Sequence, residues 1–485
     1  MKRGGGKKRQ RLAVAATVVS FVGIGLAAPF IISGTSTDLS FHSAAVIAAT
    51  RDSFTLTSPV TLSGFSDFRL ERGVISLAPS GPGDLMTGAS ALAMLASGKA
   101  KLKVDNASMS LDLGRGGFVG ADGVASGSYA PVLAALVDMS FAELAIRDSE
   151  IDVRRADGSV EKLTSVTATI TRQRGGKIKA SGRFDYRGRT VDAAINLDMK
   201  GSGDGAPPHA VPLSLVIKNE LVEARADGAL SIADTPQFSA SDAQISLTSI
   251  RDIAAWLGAD WGNGRGLGKL DVKGGLEWTP RGIAFPVARV SIDGNEAEGT
   301  IAIKLARQRA AIDGTLDFET IDISPYLDTA AQAKSPAAFD LAYILPRHLT
   351  GRSQFPILQD IDADLRISAG KVSAQGMVFG RGAASLSLKS GVMLADLAEL
   401  EIGKGGRCVG QLSVNATTET GAYHLKSKIM GVDVAMLGSA LWSRSPVSGI
   451  GDVLVDVTAN GNEKSSLIES ATGKVSVIVP ASGQL

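Results

Sequence analysis

Apolar and polar residues alternate with a period of two along most of this chain. In GKIKASGRFDYRGRTVDAAINLDM, Ile178, Ala180, Gly182, Phe184 and Tyr186 fall on one side. After the RGR turn, Val191, Ala193, Ile195, Leu197 and Met199 again share a side. That pattern predicts a long antiparallel hairpin with one dry face and one wetter face. Between residues 144 and 199 strand follows strand, and VTLSGFSDFRLERGVISLA alternates in the same way. Helical spacing is scarcer. Leu85, Met86, Ala89, Leu92, Ala93 and Ala96 line one face before Gly98, which predicts a helix either packed on a sheet or lying on a membrane surface. SFHSAAVIAATRDSF, residues 40–54, reads as a short helix.

One stretch breaks the alternation. LAVAATVVSFVGIGLAAPFII, residues 12–32, carries no charge. At about 1.5 Å per residue it reaches roughly 30 Å, one bilayer core. Leu12, Val18, Phe21, Ile24, Phe30 and Ile32 are its candidate anchor residues. A cleavable signal peptide, the alternative, has an apolar region of about 7–15 residues. Lys2, Arg3, Lys7, Lys8, Arg9 and Arg11 precede the stretch with no acid among them. Positive residues stay on the cytoplasmic side, so the expected arrangement is a cytoplasmic tail over 1–11, a single span over 12–32, and the bulk of the chain across the membrane. Setting those six residues aside leaves 44 basic against 49 acidic ones. A mildly acidic body argues against nucleic-acid binding.

GSGDGAPPHA, residues 201–210, is the clearest linker by composition, and TAAQAKSPAA, residues 329–338, is a second break. The expected organisation is an N-terminal strand-rich region over 33–200, the linker over 201–210, and a repetitive β region over 211–485. In that last region a unit recurs. It runs glycine, alternating strand, turn, alternating strand, and an aspartate at a helix start. The glycines are Gly228, Gly299 and Gly410; the aspartates are Asp252, Asp322 and Asp433. These carboxylates are placed to cap or charge-complement a helix N-terminus. A unit of this kind buries its apolar face only against its neighbours.

Candidate chemistry changes the picture little. His42, His209, His348 and His424 show no metal-ligand spacing, and Cys408 has no second cysteine or nearby histidine. GNGRGLG, residues 262–268, opens a strand and lacks the Lys-Ser/Thr ending of a phosphate loop, so it reads as a turn. DGNEAEG, residues 293–299, lacks the spacing of a calcium loop. No nucleophile elbow with a plausible triad stands out. The expectation is therefore no enzyme, no metal and no cofactor. Aromatics at 5% and 56 glycines fit a thin, repetitive β-rich body better than a deep globular core.

Several segments together carry a resemblance. The N-terminal apolar stretch, LAELAIRDSEIDVRRADGSVEKLTSVTATI, GRFDYRGRTVDAAINLDM, EGTIAIKLARQRAAIDGTLDFETIDISPYL and the run from IDADLRISAGKVSAQGMVFGRG to GRCVGQLSVNA resemble the bacterial AsmA family. The similarity is densest over 285–479. DGTLDFETIDISPYL and SAGKVSAQGMVFGRG are its most specific parts. The resemblance implies an inner-membrane-anchored periplasmic protein, mainly β with short helices. Its body would be an elongated, curved antiparallel β-sheet groove related to bridge-like lipid-transfer proteins. Phospholipids would be its cargo, and outer-membrane biogenesis its process. A non-transporting assembly or scaffold factor, with envelope-assembly proteins as partners, is the other function it implies. In the family the segment resembling SSLIESATGKVSVIVPASGQL continues further, so the distal end is either truncated here or lacking in this member.

On this reading the strand faces select candidate groove residues: Ile178, Phe184, Val191, Ile195, Leu197, Leu230, Ile301, Ile303, Leu305, Ile312, Leu316, Leu412 and Val414. A one-residue slip would reverse any of these faces. The opposite expectation from residues alone is an apolar face closed by helices or a second sheet, as in a sandwich.

Overall fold

The computed structural model describes residues 46–50, 53–56, 60–62, 65–78, 100–112, 141–154, 160–173, 176–198, 210–231, 237–259, 266–279, 281–305, 309–326, 358, 361–403, 405–417, 420–435, 449–462 and 464–480. The candidate anchor Leu12, Val18, Phe21, Ile24, Phe30 and Ile32, most of the 201–210 linker, the 329–338 break and the 85–98 helix lie outside them. Among the described residues no helix is long and apolar enough to cross a membrane.

The chain is mainly β, with short helices, and divides into two compact units. The first comprises 16–245 and 274–283; the second comprises 1–15, 246–273 and 284–485. In the first, β1 (Val46–Thr50), β2 (Ser53–Leu56), β3 (Val60–Leu62), β4 (Phe65–Ala78) and β5 (Ala100–Asp112) open the sheet. Of the helix read over 40–54, the described residues 46–50 and 53–54 lie instead in β1 and β2, paired antiparallel, and the others lie outside the described residues. Val46, Ile47, Thr50 and Thr55 are β-branched and lose rotamer freedom in a helix, so strand wins.

β6 (Phe141–Arg154), β7 (Val160–Gln173), β8 (Lys177–Tyr186), β9 (Arg189–Asp198), β10 (Ala210–Lys218) and β11 (Val222–Ser231) follow. β8 and β9 form the expected hairpin, with Ile178 opposite Leu197, Ala180 opposite Ile195 and Phe184 opposite Val191. Arg187 and Gly188 close it with φ of 49° and 77°, the left-handed pair a two-residue turn of the right hand requires. β9 pairs with β10 and β10 with β11, all antiparallel. β5 and β6, however, run parallel, so the expectation of a wholly antiparallel sheet is corrected: it is mixed. At one level of β5, β6 and β7 the residues Asn106, Asp148 and Ser165 take φ of 50°, 44° and 52°. The register shifts there, and the buried Ser149 hydroxyl accepts from the Ala107 N–H at 3.1 Å. These are bulges, which bend strands and raise their twist.

β12 (Gln237–Leu247), β13 (Leu270–Thr279) and β14 (Gly282–Ile292) come next, with helix α1 (Ile250–Trp256) between β12 and β13. The second unit then contains β15 (Asn295–Leu305), β16 (Ala310–Asp322), β17 (Ile361–Ala374), β18 (Met377–Phe379), β19 (Gly382–Lys389) and β20 (Val392–Ile402). β21 (Gly406–Asn415), β22 (Ala422–Asp433), β23 (Ile450–Asn460), α2 (Lys464–Ser470) and β24 (Thr472–Ile478) complete it. Neighbours pair antiparallel from β17 through β19 to β24. β16 and β17 are parallel, Ala310 beside Ile361 and Asp322 beside Ser373, so the connection between them starts and finishes at opposite ends of the ladder.

The repeated aspartates stand at helix starts, as read. Ser249 is the N-cap of α1, accepting from the Asp252 N–H at 3.1 Å, and Asp252 lies in the first turn. The Asp322 carboxylate accepts from the Ser324 N–H at 2.9 Å, opening a single 3-10 turn, Ser324–Tyr326. Asp433 accepts from the Ala435 N–H at 2.9 Å. The repeated glycines mark close strand approach. A Cβ on Gly299 would collide with the Thr315 carbonyl oxygen, and one on Gly228 with that of Ser239.

Candidate functional site

Residues directly opposite one another in a ladder share a sheet face. Following the register from β15 to β24 therefore traces rows across the second unit. One row reads Ile301, Gly314, Leu365, Leu386, Ala395, Leu412, Leu425, Val457, Gly473. The next, two residues along each strand, reads Gly299, Leu316, Ile367, Ala384, Leu397, Gly410, Ser427, Val455, Val475. On the other face the intervening row reads Thr300, Thr315, Arg366, Ser385, Asp396, Gln411, Lys426, Asp456, Lys474. One face is apolar across nine strands except at Ser427; the other is polar at every one of these positions.

A bulge preserves this segregation. In β20, Leu397 and Leu400 are an odd number apart, yet Leu397 faces Gly410 and Leu400 faces Cys408, both on the apolar side. The extra residue resets the alternation.

The two apolar rows are half-buried, except at β24, where they are exposed. The rows flanking them are more deeply packed. On one side Ala363, Leu388, Val414 and Tyr423 are buried with Leu358 and with Leu467 of α2. On the other, Ala297, Phe318, Ala369 and Val372 are buried, with Ile321, Ile323 and Phe379 against them. The result is a half-buried apolar strip between two closed margins. Its one hydroxyl, on Ser427, donates to the Val409 carbonyl at 3.2 Å and is satisfied within the sheet. Cys408 lies in the margin row with its sulfur 3.5 Å from the Ser427 oxygen; burial pushes its thiol up, away from a reactive thiolate.

The sequence-selected residues separate into groups. Ile301, Leu316 and Leu412 lie in the half-buried rows. Ile303 and Ile312 face each other, half-buried, in the adjoining margin row, which also holds the fully buried Val414. Leu305 pairs with Ala310 at the end of the ladder. Ile178, Phe184, Val191, Ile195 and Leu197 belong to the first unit and are only 1–7% exposed, a closed core, while Leu230 on β11 is half-buried. Reading the sequence missed Leu365, Ile367, Leu386, Leu397, Leu425, Val455 and Val457. Each stands in an alternating strand, and that period was the available signal.

One end of the β14–β16 region is held by polar contacts. The Asp293 carboxylate accepts from the Leu267 and Gly268 N–H groups, both at 2.8 Å, and from the Tyr326 hydroxyl at 2.7 Å. Asn295, buried, accepts from the Asp322 N–H at 2.6 Å and donates to its carbonyl at 3.2 Å. GNGRGLG and DGNEAEG thus meet through Asp293 as structure. His424 pairs with Asp456 at 2.8 Å on the exposed polar face and depresses that carboxylate. Among the described residues no group of three or more His, Cys, Asp or Glu is placed to hold a metal.

No curated protein matches this chain, and neither does any solved structure. The AsmA family model matches residues 234–479, half of the 485 residues and all of the strip from β15 to β24. With the match extending over the strands that build the apolar strip, the chain belongs to the AsmA family.

Proposed function

We propose that this protein is anchored in the bacterial inner membrane by residues 12–32, and that its periplasmic body carries phospholipid acyl chains toward the outer membrane. The observation that carries this reading is the half-buried apolar strip across β15–β24, backed by a polar opposite face. Moving a two-chain phospholipid through water exposes about 30 methylenes, a cost of roughly 25 kcal/mol at about 0.8 kcal/mol each. A continuous apolar track removes most of that cost without catalysis. Branched and small side chains at period two supply the track and no headgroup pocket. The family membership and the basic segment before residue 12 support the same reading.

The test is lipid extraction from the detergent-purified full chain. Wild type should retain phospholipid. Leu316→Asp and Leu412→Asp should lose it while keeping a wild-type far-UV circular dichroism spectrum, because a carboxylate in a lipid track repels acyl chains yet remains hydrated when the track is empty. Variants that unfold would mark these positions as closed core and favour a non-transporting scaffold for outer-membrane protein assembly.

A further inference from the structure

We propose that the strip selects lipids by chain number: where it crosses β17, its two walls admit two-chain lipids and reject four-chain ones. This selection presupposes that the strip is a lipid track. The floor at β17 is Leu365 and Ile367, both half-buried, and the positions two residues further out are closed, Ala363 at 7% and Ala369 at 3% exposed. Different segments close the two sides. Leu358 and Leu467 of α2 share one buried cluster with Ala363. Phe318, opposite Ala369 in the ladder, is buried on the other side, with Ile323 and Phe379 packed against the same cluster. Further along, at β20–β22, that second margin loosens to the half-buried Leu400, Cys408 and Ile429. Whatever travels the full strip therefore passes a narrower crossing at β17.

The width of that crossing follows from strand geometry. Ala363 and Ala369 stand six positions apart on β17, about 20 Å at about 3.3 Å per residue. The two closed rows take about a third of this, which leaves roughly 13 Å of floor. Apolar chains in contact lie about 4–4.5 Å apart, so two abreast need roughly 9 Å and four roughly 18 Å. A four-chain lipid would have to lift its second pair off the floor into water and forfeit the burial that makes the track favourable. The floor offers a headgroup nothing in return, since its one hydroxyl, on Ser427, is already bonded to the Val409 carbonyl.

The test uses the full chain in mild detergent, with a diazirine-bearing aliphatic residue replacing Leu365 in one sample and Leu412 of β21 in another. Phosphatidylglycerol and cardiolipin are supplied at equal acyl-chain content, because both carry phosphoglycerol headgroups and they differ in chain number. At position 365 the phosphatidylglycerol adduct should exceed the cardiolipin adduct about tenfold or more, and at position 412 the ratio should lie closer to one. Leu358→Ala and Phe318→Ala each shorten one wall and should bring the ratio at 365 below about threefold. Leu358→Ala touches no ladder, so it decides the question if Phe318→Ala does not fold. Val378→Ala on β18, 59% exposed, should leave the ratio unchanged. Equal adducts at 365 without a wall substitution, the same ratio at 365 and 412, or a ratio unmoved by Leu358→Ala overturns the width limit and leaves the track standing. No adduct with either lipid at either position overturns both.

Discussion

Asp293 occupies a left-handed turn position, φ 51°, and its carboxylate draws together two backbone amides and a phenol from segments 25 to 33 residues distant. Burial, then the hydrogen bond to Asp293 and its charge, raises the ionisation of Tyr326 above the normal tyrosine range. The unfolded chain releases that proton near pH 10, while the folded chain retains it to higher pH. The contribution is therefore complete below about pH 10 and disappears as pH rises through the folded value. Chemical denaturation from pH 8 to 11.5 should show stability falling above about pH 10, with a shallower fall in Tyr326→Phe. Tyr423, also raised by burial, accounts for part of the remaining slope. At this scale the sequence was legible where a side chain acts on its own neighbourhood: Asp322 and Asp433 each accept from the N–H two residues on, as their place at a helix start implies. Asp293 and Asn295 were not legible, because their partners are fixed only by strand register.

For single elements, the hairpin of β8 and β9 could be read residue by residue, since period-two alternation and an X-Gly turn are local signals. Asp293-Gly294 and Ser390-Gly391 close β14–β15 and β19–β20 in the same way. The parallel neighbours β5–β6 and β16–β17 were invisible, because alternation reports a face and not a strand direction. So was the β20 bulge, which only pairing on both sides exposes. There, Leu397, Glu399 and Leu400 oppose Ala384, Ala383 and Gly382, so Ala398 alone interrupts the β19 ladder. Deleting Ala398 should leave every apolar residue of β20 on its face and cost less than about 2 kcal/mol in denaturant titration. Deleting Leu386 from β19, where no such extra residue stands, reverses the faces of half that strand and should abolish folding.

Across the whole molecule, the strip of the second unit crosses nine strands, or about 38 Å at about 4.8 Å per interval. An acyl chain spans half of a roughly 30 Å bilayer core, about 15 Å. Native mass spectrometry of the full chain should therefore find two or more phospholipids per copy at saturation; a sharp limit of one would indicate a pocket in place of a track. Five of the six sequence-selected residues of the first unit are closed core and Leu230 is half-buried, a distinction alternation could not make, because it identifies the dry face and says nothing about what lies on it. The two parallel joints also bear on how the chain acquires its structure. Antiparallel stretches can zip from adjacent hairpins, but β17 cannot join β16 until the ends of a 38-residue connection have come together, nor β6 join β5 until those of a 28-residue one have. During synthesis each joint becomes a waiting point, with an unsatisfied strand flank open to the wrong neighbour until its proper one arrives.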